Sequence, residues 1–386
     1  MVIREAGKHL HKLAKQFRSI AVVGPRQSGK STLVKQIFPD KPYVSFETPS
    51  VRQFFNNDPQ GFLDTYSKGA LFDEVQRVPE VFSYLQEVID ASDKRGRFIL
   101  TGSNNFALQE NITQTLAGRI GYIDLLPFSR SEINSIARNG YADKANNYIF
   151  NGGYPEIATR KSKPDTWFPS YIRTYIERDI RQIKSIENLA AFEKLLLLCA
   201  GRVGQQLNMS SLAIEAGVNV NTVQAWLGLL QSSYVIYLLK PHHSNFNKRV
   251  VRTPKLYFYD TGLACSLLGI TAAKDLTFNM YKGPLFENFI INELLKNRFN
   301  QGLRNNLYYW RDNTGNEIDV VIDNGGKLLP IEIKSGATVT DDFFKGLKFW
   351  QKLTGVKRGI VIYGGEEGQK RSNGIEVASW KNAGAI

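Results

Sequence analysis

Over its first third the chain alternates short apolar runs with amphipathic stretches. Residues 19–23 (SIAVV) are uniformly apolar after the serine and end at Gly24, which predicts a buried strand. A glycine-rich turn follows, and then Ser31–Ile37 carries helical spacing. YVSFE at 43–47, GALF at 69–72 and RFILT at 97–101 predict three further strands. Leu63–Tyr66 and Val81–Ile89 read as helices between them. Mostly apolar strands alternating with helices imply a parallel sheet covered on both faces. This layer extends to about residue 135. The N-terminal MVIREAGKHLHKLAKQF alternates basic and apolar residues at helical spacing and has no signal-peptide core.

The pattern then changes. Residues 136–195 lose the strand signal, and Trp167–Ile183 predicts one helix dense in charge. Ser210–Leu227 predicts a helix–turn–helix: Ala213, Gly217 and Val223 stand where a small residue, a turn glycine and a buried residue are needed. Asn219 can cap the second helix, whose buried stripe is Val223, Leu227 and Leu230. Asn221, Thr222, Gln224 and Ala225 face outward. Tyr234–Leu239 and Leu256–Tyr259 predict two strands. The loop joining them holds His242, His243, Lys248, Arg249 and Arg252, and the whole reads as a winged helix with a basic wing. Residues 281–386 return to mixed α/β. The expected domains are 1–135, 136–195, 196–265 and 266–386.

Composition excludes several classes. The 386 residues are 42 % hydrophobic and 22 % charged, which rules out a disordered, fibrous or disulfide-scaffold chain. The two cysteines, Cys199 and Cys265, form no C-x-x-C pair, so no zinc site is expected. No apolar run reaches the roughly 18 residues that span a bilayer, so a cytoplasmic protein without membrane contact is expected. The net charge of +13 is uneven. Residues 1–135 hold 17 basic and 14 acidic side chains, and residues 136–386 hold 32 and 22. That surplus makes DNA a plausible partner for the C-terminal part. The outward face of the second helix, however, carries no Lys or Arg, which weighs against strong DNA binding by that helix; the basic wing is a candidate to supply what it lacks.

The chemistry starts at Gly24-Pro25-Arg26-Gln27-Ser28-Gly29-Lys30-Ser31, followed by Thr32, which matches G-x-x-x-x-G-K-[ST] with a strand before it and a helix after it. The two glycines let successive N–H groups converge on phosphate oxygens, and the helix opening at Lys30 adds its positive end. Lys30 is expected to reach the β- and γ-phosphates of ATP, and Ser31 to hold Mg²⁺. Asp73 and Glu74 end an apolar strand. Asp73 is expected to hold Mg²⁺ through water, and Glu74 to activate the attacking water. Ser103 or Asn104, at the end of the fourth strand, is expected to position that water. Arg119, in LAGRIG, is a candidate for a charge donated to a neighbouring subunit's site, which requires a ring or at least a dimer.

With these motifs in place the chain resembles the bacterial and archaeal AAA-type ATPases (AAA_14-like) that carry a C-terminal DUF4143 domain. The residues are GPRQSGKST at 24–32, LFDEVQRVPE at 71–80, ILTGSNN at 99–105, LAGRIGYIDLLPFS at 116–129, NGGYPE at 151–156, YIERDI at 175–180, PKLYFYDTGL at 254–263, FENFIINEL at 286–294 and IEIKSG at 331–336. The resemblance implies a P-loop AAA-type parallel sheet core with a helical lid, and Arg119 as a candidate finger. It shows no clear second sensor arginine; Arg178 and Arg181 are the candidates.

Near the C-terminus, Leu307–Arg311, a strand from Glu317 and Leu328–Ile333 are expected strands. Glu332 and Lys334 then project on one face, Asp319 sits opposite, and Glu287 lies on a preceding helix. This layout resembles the PD-(D/E)xK nuclease fold, in which acids hold Mg²⁺ and a lysine helps activate water. The alternative is a nuclease-like platform whose charges form salt bridges. Three functions follow: an ATP-hydrolysing DNA motor or remodeller, with branched or junction DNA as a candidate substrate; an ATP-regulated metal-dependent nuclease; or an ATP switch acting on a partner protein.

Overall fold

The structure, a computed structural model, describes residues 2–103, 116–136, 141, 144–160, 162–176, 188–242 and 252–386. The chain divides into two compact units. The first is Met1–Phe128 with Ser232–Tyr234 and Arg298–Leu303, and the second is the remainder.

The first unit runs α1 (Ala6–Gln16), β1 (Ser19–Gly24), α2 (Lys30–Ile37), β2 (Tyr43–Ser45), α3 (Pro49–Asn57), α4 (Pro59–Thr65), β3 (Ala70–Asp73), α5 (Val81–Asp90), β4 (Phe98–Ser103) and β5 (Ile120–Asp124). The five strands form one sheet in the order β2-β3-β4-β1-β5, with every pairing parallel. Alternate residues of each strand enter separate cores. Ile20, Val22, Leu71 and Ile99 pack with Leu10 and Leu33, whereas Ala21, Val23, Phe72 and Leu100 pack with Phe46, Phe55 and Phe62. Residues with no polar alternation are therefore what a two-sided sheet needs. Register pairs Gly24 with Ser103 and Ser45 with Asp73, so these strand ends share the sheet's C-terminal edge.

β5 carries no signal in the apolar pattern. It is an edge strand that buries alternate residues only, and Gly121 is present because a Cβ there would stand 2.8 Å from the Phe17 ring. The second strand ends two residues early, at Ser45.

The second unit opens with α6 (Arg130–Asn134), α7 (Ala145–Asn151), α8 (Pro155–Arg160) and α9 (Pro164–Tyr171). The single helix expected over Trp167–Ile183 starts at Pro164 and gives way to a π-turn at Ile172–Ile176, after an internal Pro169 that removes one helical donor. Residues 177–187, with the candidates Arg178 and Arg181, lie outside the described residues. Next come α10 (Leu189–Ala200), α11 (Met209–Ala216), α12 (Val220–Ser232), β6 (Ile236–Leu239) and β7 (Lys255–Phe258). Gly217 ends α11 in the left-handed region at φ 74°, and Asn219 Oδ1 accepts from Thr222 N at 2.7 Å. Val223, Leu227 and Leu230 are buried, and Asn221, Gln224 and Ala225 are exposed, as the periodicity requires. β6 and β7 pair antiparallel. His242 and Arg252 are described; His243, Lys248 and Arg249 are not.

α13 (Thr261–Leu267) and α14 (Lys282–Asn300) lead into β8 (Leu307–Arg311), β9 (Glu317–Asn324), β10 (Lys327–Lys334), α15 (Lys345–Thr354), β11 (Gly359–Tyr363), β12 (Gln369–Lys370) and β13 (Ile375–Ser379). These strands form a mixed sheet in the order β12-β13-β11-β10-β9-β8. Gly325 and Gly326, both at positive φ, make the β9–β10 turn expected at Asn324. α14 is buried nearly all round, and two of its amides serve β7: Asn288 Oδ1 accepts from Phe258 N, and Asn288 and Asn292 donate to Phe258 O at 2.7 and 2.9 Å.

One carboxylate ties two of the sequence motifs together. Asp260 is 3 % exposed and accepts from the N–H groups of Gly153, Gly262 and Leu263 at 2.7, 2.9 and 3.2 Å. Gly152, at φ 69°, has no room for a side chain, since a Cβ would stand 2.2 Å from the Asp260 carboxylate. Thus NGGYPE and YDTGL form one hydrogen-bonded junction. Asp260→Ala leaves three buried donors without an acceptor and is expected to cost about 3 kcal/mol or more. A fall in the denaturant midpoint of the second unit checks this.

Candidate functional site

β1 delivers the chain to the C-terminal edge of the parallel sheet, and α2 begins six residues later at Lys30. Between them Gly24, Gln27 and Gly29 take left-handed dihedrals, at φ 147°, 61° and 93°. A Cβ on Gly24 would stand 2.3 Å from the Leu125 carbonyl oxygen, so the residue that follows β5 demands glycine there. Pro25 and Ser28 are buried, Arg26, Gly29 and Ser31 are half-buried, and Gln27 and Thr32 are exposed. Lys30 is 5 % exposed, and its Nζ donates to the carbonyls of Gly24 at 3.0 Å and Pro25 at 2.7 Å. Burial pushes its pKa down to about 8, although the charges of Glu74 and Asp73 pull it up. It makes no ion pair among the described residues, so the ammonium is spent on carbonyl oxygens of its own loop.

Two strands away, Asp73 collects hydroxyl donors. Ser31 Oγ reaches its two carboxylate oxygens at 3.0 and 3.1 Å, and Tyr43 and Thr101 also donate to it. Glu74 follows at φ 55°, a left-handed backbone that turns its side chain out of the strand alternation. Burial raises its pKa, opposed mainly by Lys30. Gln76 Nε2 donates to Glu74 at 2.5 Å and to Ser103 Oγ at 3.1 Å, bridging the ends of β3 and β4. Asn104 lies outside the described residues. The donors suit the expected ligands: an oxygen-only pair, Ser31 and Asp73, for a hard cation, beside a buried ammonium and the free N–H groups of a helix start for phosphate.

Arg119 stands at the other edge of the sheet. It precedes Ile120, which pairs with Ser19 at the start of β1. The loop is at the far end of β1, five residues on and about 17 Å away at the usual strand rise. The guanidinium is held bidentate by Asp90, Nε–Oδ1 at 2.5 Å and Nη2–Oδ2 at 2.9 Å. It therefore does not serve the loop of its own chain.

In the second unit the structure brings Asp319, Glu332 and Lys334 together. Lys334 Nζ lies 3.2 Å from Glu332 Oε2, and Asp319 Oδ2 accepts from Ile333 N at 2.7 Å. Glu287 joins them through Lys255, whose Nζ lies 3.1 Å from Glu287 and also pairs with Glu317. Tyr257 OH donates to the same Glu287 oxygen at 2.5 Å. Lys255 is 4 % exposed; burial opposes its charge, but Glu287, Tyr257, Asp319 and Glu317 outweigh it and hold its pKa above the ordinary lysine range. Burial pushes Glu287 up to about 7 and also holds Glu332 well above the carboxylate range. Helix α15 lies directly on Glu332: a Cβ on Gly346 would stand 1.7 Å from its Oε1. Among the described residues, no group of three or more His, Cys, Asp and Glu is arranged to hold a metal ion.

The residues missed from sequence share one property: their partners are remote in the chain. Arg4, 6 % exposed, donates to the carbonyls of Ser28 and Leu126 at 2.7 Å each and lies 4.7 Å above the Phe128 ring. With the Ser28 carbonyl turned toward Arg4, the Gly29 N–H of the same trans peptide points the opposite way. Nothing in a lone Arg twenty residues upstream signals this. Thr101 is a hydroxyl at the end of the apolar run Phe98–Leu100, a weak signal, but its partner Asp73 is again remote. Lys255 and Tyr257 could have been found, being i and i+2 on one face of β7.

Three family models match the chain: an AAA domain (AAA_14) over residues 16–134, a domain of unknown function (DUF8612) over 142–274, and a domain of unknown function (DUF4143) over 282–383. The curated relatives include the uncharacterized protein Rv2008c of Mycobacterium tuberculosis, 30 % identical over 338 residues, or 87 % of this chain and 74 % of that one; Mb2031c of Mycobacterium bovis matches equally. Solved structures that resemble it include a Walker-type ATPase of Pyrococcus abyssi (TM-score 0.46, 15 % identity, 68 % of this chain and 95 % of that one). A RuvB variant of Thermotoga maritima gives a TM-score of 0.34 at 18 % identity, over 61 % of this chain and 89 % of that one.

Removing one member of a buried ion-pair group strands the others. Lys255→Met is expected to destabilise by about 3–5 kcal/mol, and adding Glu287→Gln and Glu317→Gln to recover most of it. Denaturant unfolding of the three proteins checks both steps.

Proposed function

The chain belongs to the family that joins an AAA_14 ATPase-type domain to a C-terminal DUF4143 domain, and on that footing we propose that it hydrolyses ATP with Mg²⁺ and couples the hydrolysis to DNA as a motor or remodeller. The observation that carries the proposal is the loop of residues 24–31, with its buried Lys30 beside the Ser31–Asp73 pair. Lys30 exchanges the carbonyls of Gly24 and Pro25 for β- and γ-phosphate oxygens. The loop backbone at Pro25, Arg26, Gln27, Ser28 and Gly29, with Thr32 in the first turn of α2, completes the phosphate cradle. Ser31 and Asp73 are the ligands for Mg²⁺, which when bound offsets the charge that develops on the transferred phosphoryl group. Glu74, its proton affinity raised by burial and its side chain held by Gln76, orients and deprotonates the attacking water. Asn104 is assigned to that water as well.

Arg119 acts in trans in this reading, leaving Asp90 to enter a neighbour's site, so the active species is an oligomer, a ring being the closed form. The domain assignment proposed is an ATPase core at 1–135, a helical lid at 136–195, a winged helix at 196–265 and a nuclease-like domain at 266–386. In the last, Glu287, Asp319, Glu332 and Lys334 serve as a charged platform rather than a cutting centre. Supporting this, Lys255 already supplies the cation and α15 covers Glu332. No helix among the described residues is long and apolar enough to cross a membrane. Both cysteines are free and buried, which suits a reducing cytoplasm.

ATP turnover with duplex, single-stranded and four-way DNA tests the proposal. One of these DNAs is expected to raise turnover, and Lys30→Ala to lower it on the order of 100-fold or more. Equal turnover with and without every DNA contradicts the coupling.

The lysine also sets a pH dependence. Phosphate favours the protonated amine, and Lys30 in the free protein titrates near 8. Above that pH, binding must take up a proton, so ATP affinity is expected to fall by up to about tenfold per unit as pH rises past 8, and to be level below about 7. Lys30→Arg, charged throughout, is expected to remove the fall. Titration calorimetry between pH 6.5 and 9.5 checks both.

A further inference from the structure

Helix α15 is divided lengthwise. Leu347 and Trp350 enter a core with Trp310, Ile318 and Val321, while Lys345, Lys348 and Lys352 stand exposed on the opposite face. The stripe continues past the helix. Gly355, at φ 74°, ends α15, and the exposed Lys357 and Arg358 follow at once. Gln351 Nε2 donates to the carbonyls of Lys357 and Asn373, which draws in the turn that carries Arg371, and the Arg371 guanidinium lies 4.2 Å over the Phe344 ring at the helix start. Six cations thus occupy one continuous surface.

Their charges are not spent within the protein. Among the described residues Lys348, Lys352, Lys357 and Arg358 have no carboxylate partner; Asp342 interacts with Lys345, and with Lys334, at the N-terminal end. Lys345 and Lys348 are three apart and Lys348 and Lys352 four apart, spacings at which like charges repel on a helix. Lys345 also sits at the positive end of the helix dipole. The helix keeps an arrangement that costs it stability, and a polyanion would relieve it. The exposed face of α12, by contrast, offers no cation at all.

We infer that this surface, the outer face of α15 with Lys357, Arg358 and Arg371, binds the phosphate backbone of duplex DNA. The inference rests on the DNA-coupled half of the reading above and locates its main electrostatic contact. It is a sequence-independent contact, so it carries the salt dependence of binding and leaves base choice to other residues. It also puts the duplex outside the helix that covers Glu332, away from the buried carboxylates.

The test uses the full-length protein without nucleotide and a labelled mixed-sequence duplex of about 30 base pairs, followed by fluorescence anisotropy from 50 to 200 mM salt. Lys348→Glu, Lys352→Glu and Arg358→Glu are combined in one variant. Lys8→Glu, Lys12→Glu and Lys15→Glu, on exposed positions of α1, give a control with the same change in charge. Melting temperatures establish that both fold. The α15 variant is expected to lose tenfold or more in affinity at 100 mM salt, and its slope of log K against log salt to flatten by about 3, at roughly 0.9 per phosphate contact. The α1 control is expected to stay within threefold of the wild type. An α15 variant within threefold of the wild type, or a control that loses as much, overturns the inference. So does a wild type that binds polyglutamate but not the duplex, which would point to an acidic protein instead. ATP turnover in the absence of DNA, measured alongside, separates these outcomes from failure of the ATPase reading.

Discussion

A buried ammonium held by the carbonyls of its own loop is the constraint on which the account depends. Lys30 is almost wholly out of water, and burial pushes its pKa down to about 8. Carbonyl oxygens satisfy its hydrogen bonds without neutralising it, which leaves its charge for an anion. Around it the loop is braced from several sides. Leu125 excludes any side chain at Gly24, Arg4 fixes the Ser28 carbonyl, and the helix start at Lys30 presents its unpaired N–H groups. The loop's shape is thus fixed by contacts from Arg4, ahead of the N-terminal helix, and from Leu125, just after β5.

The first unit was largely legible because its signals are local. Residues buried on both faces read as apolar runs, and the phosphate loop is spelled out in eight consecutive positions, where Gly24 and Gly29 adopt the positive φ that the spelling implies. β5 was not legible, because an edge strand shows half a pattern and its pairing with β1 is fixed a hundred residues away. The hydroxyls around Asp73 illustrate the same limit. Ser31 adjoins the loop and was found, whereas Tyr43 and Thr101 reach the carboxylate only once three strands are in register.

In the second unit the strands of the C-terminal sheet follow from alternation and from the two-glycine turn at Gly325 and Gly326. The same alternation places Glu332 and Lys334 on one face and Asp319 opposite. What alternation could not reveal is that Lys255, sixty-four residues before Asp319, completes the cluster from another strand pair and changes its chemistry. Three carboxylates with a free approach suggest a cation site; the same three, joined by Glu317, with Lys255 among them and α15 on top form a neutralised, covered network. The basic charge of the C-terminal half then finds its outlet on the solvent side of α15.

The central claim is that the loop ahead of Lys30 grips the phosphates of a nucleoside triphosphate. The measurement closest to it is a calorimetric titration of Mg²⁺-ATP into the nucleotide-free chain at pH 7. The account predicts one saturable site per chain in the wild type, with heat and affinity both lost in Lys30→Ala and the protein still folded. No binding to the wild type, or equal binding to the variant, would contradict it.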